Sequence, residues 1–334
     1  MPNINIDDAY ILNETGAEVD KVTGLFTKNE NATMGEKQMA RLNIAAGGSN
    51  DNLLDNWYFV GGGSQLGDGV FPINQRGQTS YSNGTNTTID RWKMENSSIS
   101  VGTDGLTWTA TGDNNKFEQI IENYKLIEGE TYTATIDCDI SAGSARLFVG
   151  GVSSPWPTVA GSAVNVSSGI TSVTFTFTRE SGYTGQYKLV LASVGSCTAK
   201  LRKFKLEKGT VSTLANDAPP NFGEELRKCQ RYLWVANCEA NDIMASGVTF
   251  GTNVIFDLIT PVQIRGTQAN VAIGVTPYIA VDNTLVLCGG SSALANIKGN
   301  HIRFQIGATA DLGTYKNCNL LIPSVTFLQV ANEL

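Results

Sequence analysis

Histidine is almost missing from this chain: one residue in 334, His301. Serine–histidine or cysteine–histidine catalysis would have to pass through that single imidazole. It opens an expected strand, GNHIRFQ, where a structural or solvent-facing role is the ordinary one. The six cysteines, Cys138, Cys197, Cys229, Cys238, Cys288 and Cys318, are widely spaced and form no CxxC pair. They indicate no zinc site and read as buried free thiols of a protein made in a reducing cytoplasm. The opening MPNINIDDAY has neither a basic stretch nor an apolar run, so no signal peptide is expected. No apolar segment approaches the roughly 20 residues of a membrane-spanning helix, so membrane insertion is not expected. Charged residues make up 16% of the chain, against roughly 25% in an average globular protein. The net charge of −7 is spread along the chain with no basic segment, so a nucleic-acid partner is not expected either.

What is present is glycine, 35 residues of it, with abundant Ser, Thr and Asn, the balance of many short strands joined by turns. From about residue 49 the apolar residues alternate. SVTFTFTR sets Val173, Phe175 and Phe177 on one face, TYTATID sets Tyr132, Ala134 and Ile136, and QYKLVLA sets Tyr187, Leu189 and Leu191. LTWTAT adds Leu106, Trp108 and Ala110. Each is expected to be a half-buried antiparallel strand. In TAKLRKFKLEKG the apolar phase slips between Leu201 and Phe204, which predicts a bulge. Asn-x-Ser/Thr triplets, as at Asn83, Asn86 and Asn165, are expected by chance in such a composition.

The fold class expected is all-β: two successive antiparallel β-sandwich, jelly-roll-like domains, with a short N-terminal helical attachment segment and one inter-domain helix. Residues 1–48 hold the attachment segment, where Thr33 and Glu36 form a capping box before a short helix ending at Gly47-Gly48. Residues 49–210 form a sandwich of the carbohydrate-binding-module kind, 211–234 a linker and helix, and 235–334 a second β-domain. In the helix GEELRKCQRYLW, Asn221 caps with Glu224 at the third position, and Glu224 and Lys228 are spaced for an i,i+4 pair. Its apolar face, Leu226, Cys229, Gln230 and Leu233, is expected to lie against the start of the C-terminal domain. There is no internal repeat and no coiled-coil heptad.

Four stretches carry a resemblance. EKQMARLNIAAGG resembles a segment near the start of tail-fibre and baseplate proteins of tailed bacteriophages. NLLDNWYF with FPINQRGQTSYS and TIDRWKM is similar to the opening of a β-sandwich domain of phage structural proteins. FKLEKGTVSTLA followed by EELRKCQRYLW resembles the exit from that sandwich, and VTFLQVANEL their C-terminal strand. The stretch TPVQIRGTQANV (260–271) keeps only the outline of the PMRxxPT segment usual after the helix. The resemblance implies a homotrimeric tail-fibre or receptor-binding protein of the virion, or of a tail-like bacteriocin particle, synthesised in the bacterial cytoplasm. Its N-terminal segment would hold phage tail or baseplate proteins. Its outer domains would engage a host cell-surface polysaccharide or protein.

Sugars present flat apolar faces and many hydroxyls, so a binding site wants exposed rings among polar loop residues. Trp156 in SSPWPTVAG, Tyr183 in ESGYTGQY, Tyr81 in GQTSYSNGTN and Tyr278 in GVTPYIAV are the ligand-binding candidates. Each could equally lid a sandwich or make a subunit contact. Arg76, Asp90, Arg91 and Trp92 read as structural, with Asp-Arg as an ion pair supporting a buried Trp. No cofactor is expected. Asp137 and Asp139 share one strand face, but two carboxylates fall short of a Ca²⁺ site. Two-carboxylate glycan cleavage needs no histidine and stays open as a tailspike alternative, with Asp90, Asp104, Asp113, Glu118, Glu122, Asp137 and Asp139 available. A baseplate connector without a receptor is the other.

Overall fold

The computed structural model describes residues 50–331 except 64–68, 83–85, 283 and 325. The expected N-terminal helix and the Asn83 triplet lie outside the described residues. The chain divides into two units, Met1–Asp51 with Thr213–Ala218, and Asn52–Ser212 with Pro219–Leu334. Of the first, the described part is a single 3-10 turn, Leu214–Asn216, and the Asn50 amide donating to Thr213 Oγ1 at 3.3 Å.

The second unit contains two curled antiparallel sheets of ten strands each, and its fold is all-β apart from one α-helix and one short 3-10 turn among the described residues. The spine of the first sheet is a ribbon of two long strands, Thr131–Gly151 and Tyr187–Lys208, paired from Tyr187–Gly151 to Lys208–Tyr132. Val164–Val166 and Gly169–Thr176 extend one edge. The other edge splits. Residues 187–192 pair with Lys116–Ile121, and 197–201 pair with Gly105–Ala110. The ribbon's register shifts between Val194 and Cys197, where the wings part, and again between Leu201 and Lys203, where the apolar phase slips. An extra residue bends a strand and raises its twist, which lets one ribbon serve both wings. Inside lie Phe59, Trp92, Phe117 and Phe204, with Trp92 and Phe117 stacked at 4.7 Å.

The alternation holds for Leu106, Trp108 and Ala110, but two strands are buried more deeply than half. Thr133 and Thr135 are buried beside Tyr132, Ala134 and Ile136, and Lys188 and Val190 beside Tyr187 and Leu189. Lys188 tolerates this because its ammonium meets Glu118 at 2.8 Å.

The second sheet follows one path: Leu233–Cys238, Thr326–Ala331, Gln268–Ile273, Ser292–Lys298, His301–Gly307, Asn253–Ile259, Ile243–Phe250, Thr314–Leu321, Tyr278–Val281, Thr284–Leu287. Val254, Phe256, Ile302, Phe304, Ile306, Leu328 and Val330 fill its interior. An isolated bridge, Cys288 to Ala308, ties the far end back toward the middle.

The helix spans Phe222–Gln230, and the Asn221 side chain accepts the Glu224 amide at 3.0 Å, as its cap pattern predicts. Its packing differs from the expectation. Cys229 clusters with Phe71 and Ile73 of the first sandwich, with Tyr58, Phe222 and Leu226 against them, rather than with the C-terminal sheet. Lys228 pairs with Glu225 at 3.0 Å, not with Glu224, because Glu225 is the acid on the buried face. The Glu225 carboxylate accepts the backbone N–H of Asn56, a residue held in the left-handed region at φ 52°.

Candidate functional site

Trp156 is the most exposed tryptophan described, at 64%. Its loop leaves the end of Thr131–Gly151 and folds back tightly. The Trp156 amide donates to Ser153 O at 2.8 Å, the Gly151 amide to Pro157 O at 2.7 Å, and the Val159 amide to Val149 O at 2.9 Å. Trp156 sits at φ 51°, a region a bulky side chain occupies only when its surroundings impose it.

Those surroundings centre on Tyr183. Its ring is 5% exposed, and its hydroxyl accepts the amides of Val152 (2.7 Å) and Ser153 (3.2 Å) while donating to Gln186 O (2.8 Å). Two glycines make room. A Cβ on Gly151 would stand 2.6 Å from Pro157 Cδ, and one on Gly185 2.5 Å from the Tyr183 hydroxyl. The structure thus brings Trp156 and Tyr183 together with different roles. Tyr183 is a buttress with no ring face to offer, and Trp156 is a displayed ring beside the exposed Ser153, Ser154 and Thr158.

Tyr81 is also corrected: it is 5% exposed, with its hydroxyl on Asn74 Oδ1 at 2.7 Å inside the sandwich. Tyr278 is half-buried in the strand Tyr278–Val281, between Leu287 and Leu321. Neither shares a surface with Trp156 in any contact described. A loop tyrosine whose hydroxyl reaches backbone or amide partners caps a core, and sequence context alone does not separate that role from display.

Asp-Arg-Trp is structural, but its ion pair is not internal. Asp90 accepts the Gln75 amide at 3.0 Å, Arg91 donates to Asp55 at 3.0 Å, and the fully buried Trp92 donates to Asn56 O at 2.8 Å. Burial alone would raise the Asp55 pKa, yet the Arg91 guanidinium and Lys125 ammonium outweigh it and hold the carboxyl below its ordinary value.

Each carboxylate considered for glycan cleavage has a partner. Asp104 pairs with Lys200 at 2.8 Å, Glu118 with Lys188, and Asp113 accepts the Gly195 amide at 3.3 Å. Arg202 pairs with both Asp137 and Asp139, filling the position a cation would take. Glu122, its side chain 2% exposed, lies 3.6 Å from Arg231 and 3.5 Å from Arg265 and accepts the Tyr124 hydroxyl. That cluster was hidden in the sequence, since its members lie far apart along the chain. His301 is exposed at a strand end facing Ile259 and Lys298. All six cysteines are free and buried.

No family model matches the sequence, and no curated protein sequence matches it. Among solved structures the chain is similar to the CBM22-1 xylan-binding domain of Paenibacillus barcinonensis Xyn10C, with 13% identity over 49% of this chain and 98% of that one, at a TM-score of 0.31. The tandem CBM22-1-CBM22-2 domain of the same protein aligns over 85% of this chain and 97% of its own, at 10% identity and a TM-score of 0.31. The N-terminal cellulose-binding domain of Cellulomonas fimi β-1,4-glucanase C covers 45% of this chain and 99% of its own, at 19% identity and a TM-score of 0.28.

Proposed function

We propose that this chain is a non-catalytic adhesion protein that binds carbohydrate through the Trp156 loop, as a tail-fibre or receptor-binding protein of a phage or tail-like particle. The observation that carries the carbohydrate reading is the 64% exposed Trp156 ring, displayed by a loop that Tyr183 braces from beneath. A held ring loses little freedom on binding, and its apolar face suits the flat face of a sugar. The partnered carboxylates support adhesion without turnover. The phage assignment rests on the order of the EKQMARLNIAAGG, DRW and CQRYLW stretches along the sequence. In a homotrimer, three such loops would turn individually weak contacts into useful avidity.

The test is binding of the purified protein to a glycan array and to bacterial cells, beside Trp156→Ala. Binding that the variant loses supports the proposal. Protein that binds neither glycans nor cells is a connector, and release of reducing ends from a bound polysaccharide makes it a tailspike.

A further inference from the structure

The stretches CQRYLW and TPVQIRG meet in space. The Arg265 amide donates to Arg231 O at 2.7 Å, locking the 262–266 loop against the end of the helix, with Ile264 fully buried beneath it. Between them opens a groove of about 560 Å³ lined by Arg227, Lys228, Arg231, Gln263 and Arg265, among others.

Four cations line this groove in a chain of net charge −7. Two buried carboxylates answer them from below: Glu225 pairs with Lys228, and Glu122 lies between Arg231 and Arg265. That leaves an excess of positive charge at the groove. Arg227 makes no ion pair with any described residue and is exposed. The Arg231 and Lys228 side chains are 45% and 49% exposed, so their outer faces remain open to a ligand. Guanidinium groups held by buried acids are preset for oxyanions, which they bind through paired N–H donors.

We infer that this groove binds the anionic oxygens of an acidic glycan, a uronate carboxylate or a sugar-polymer phosphodiester. The inference deepens the adhesion reading and rests on it for the carbohydrate part of the ligand. It also accounts for an arginine-rich helix end in a chain without a basic segment: the charge is assembled by folding.

The test is calorimetric titration of the full chain with three probes: trigalacturonate, a glycerol-phosphate hexamer and neutral xylohexaose. At least one anionic probe should bind, about tenfold more weakly to Arg227→Glu than to the wild type. That binding should also weaken between 50 and 300 mM NaCl, the two salt concentrations to be used, as screening grows. Thermal melting checks that Arg227→Glu is folded, and Lys298→Glu on the second sheet should bind normally. Response to trigalacturonate alone assigns a carboxylate, and to the glycerol-phosphate hexamer alone a phosphodiester. Failure of both anionic probes, or equal binding by Arg227→Glu, overturns the inference. Trp156→Ala separates the two sites. If neutral binding depends on Trp156 while both anionic probes fail, the groove inference falls and the adhesion reading stands. If Arg227→Glu removes anionic binding and Trp156→Ala changes nothing, the groove inference stands and Trp156 is not the glycan site.

Discussion

The guanidinium carbon of Arg91 lies 3.5 Å from the centroid of the Tyr232 ring, and both residues are buried. This contact joins the DRW stretch to the CQRYLW stretch, so the turn before Lys93–Glu95 in the first sheet holds the residue before the first strand of the second, Leu233–Cys238. Asp55 supplies Arg91's counter-charge at 3.0 Å. Arg91→Ala strips the buried Asp55 of one of its two cationic partners, leaving only Lys125 at 3.2 Å, and the Tyr232 ring of its nearest cation. Because Lys125 still pairs with Asp55, the expected loss is about 1.5–3 kcal/mol in urea unfolding, and Arg91→Lys should restore little of it, because an ammonium lacks the planar stacking face. A loss under about 0.5 kcal/mol would mean the contact is incidental.

Asp55 makes the same cluster sensitive to acid. Its folded pKa lies below the unfolded value of about 3.9, so its contribution is present above that pH and fades as pH falls through the folded value. Asp55→Asn should therefore be less stable than the wild type at pH 7, with the gap closing below about pH 4. Melting curves of both proteins from pH 7 to pH 3 read this directly. A gap that stays constant throughout would count against the assigned ion pairs.

The thiols should be silent in the native state. Burial pushes Cys138 and Cys288 up to about 12 and Cys229 well above its ordinary value. Thiolate is the reactive form, so iodoacetamide at pH 8 should label no described cysteine until urea unfolds the chain. Mass spectrometry should then find all six modified. Rapid native labelling of any one would show that its sheet opens locally.

Much of the fold was legible because its signals are local. Alternation in LTWTAT names the buried face, the slip between Leu201 and Phe204 marks the register shift at Leu201/Lys203, and Asn221 three residues before Glu224 sets the cap. Partners were not legible. Helical spacing shows that Leu226 and Cys229 share an apolar face, but not that Phe71 and Ile73 meet it. Nor does it reveal that Glu225, rather than Glu224, turns inward to Asn56. In the candidate site, the sequence names Trp156 as one of four loop aromatics without separating display from burial. Tyr183 occupies equally loop-like sequence, yet its burial follows from a hydroxyl that reaches amides about 30 residues upstream, at 152 and 153.

If Tyr183 braces the loop, removing its hydroxyl should weaken glycan binding without touching the binding surface. Tyr183→Phe leaves the Val152 and Ser153 amides without that acceptor, at a cost of about 1–3 kcal/mol in local or global stability. Amide exchange at 152–157 should accelerate, and affinity for any glycan bound at Trp156 should fall several-fold. Unchanged exchange in that loop would remove Tyr183 from the account.

The central claim, that sugar lies on the Trp156 ring, is tested most directly by indole N–H resonances during titration with a glycan bound on the array. Trp57, Trp92 and Trp108 are buried and Trp234 half-buried, so they serve as internal references. The Trp156 signal, assigned as the one missing from Trp156→Phe, should shift and saturate at the dissociation constant found by calorimetry. Saturable binding that leaves this resonance still would place the carbohydrate elsewhere and contradict the claim.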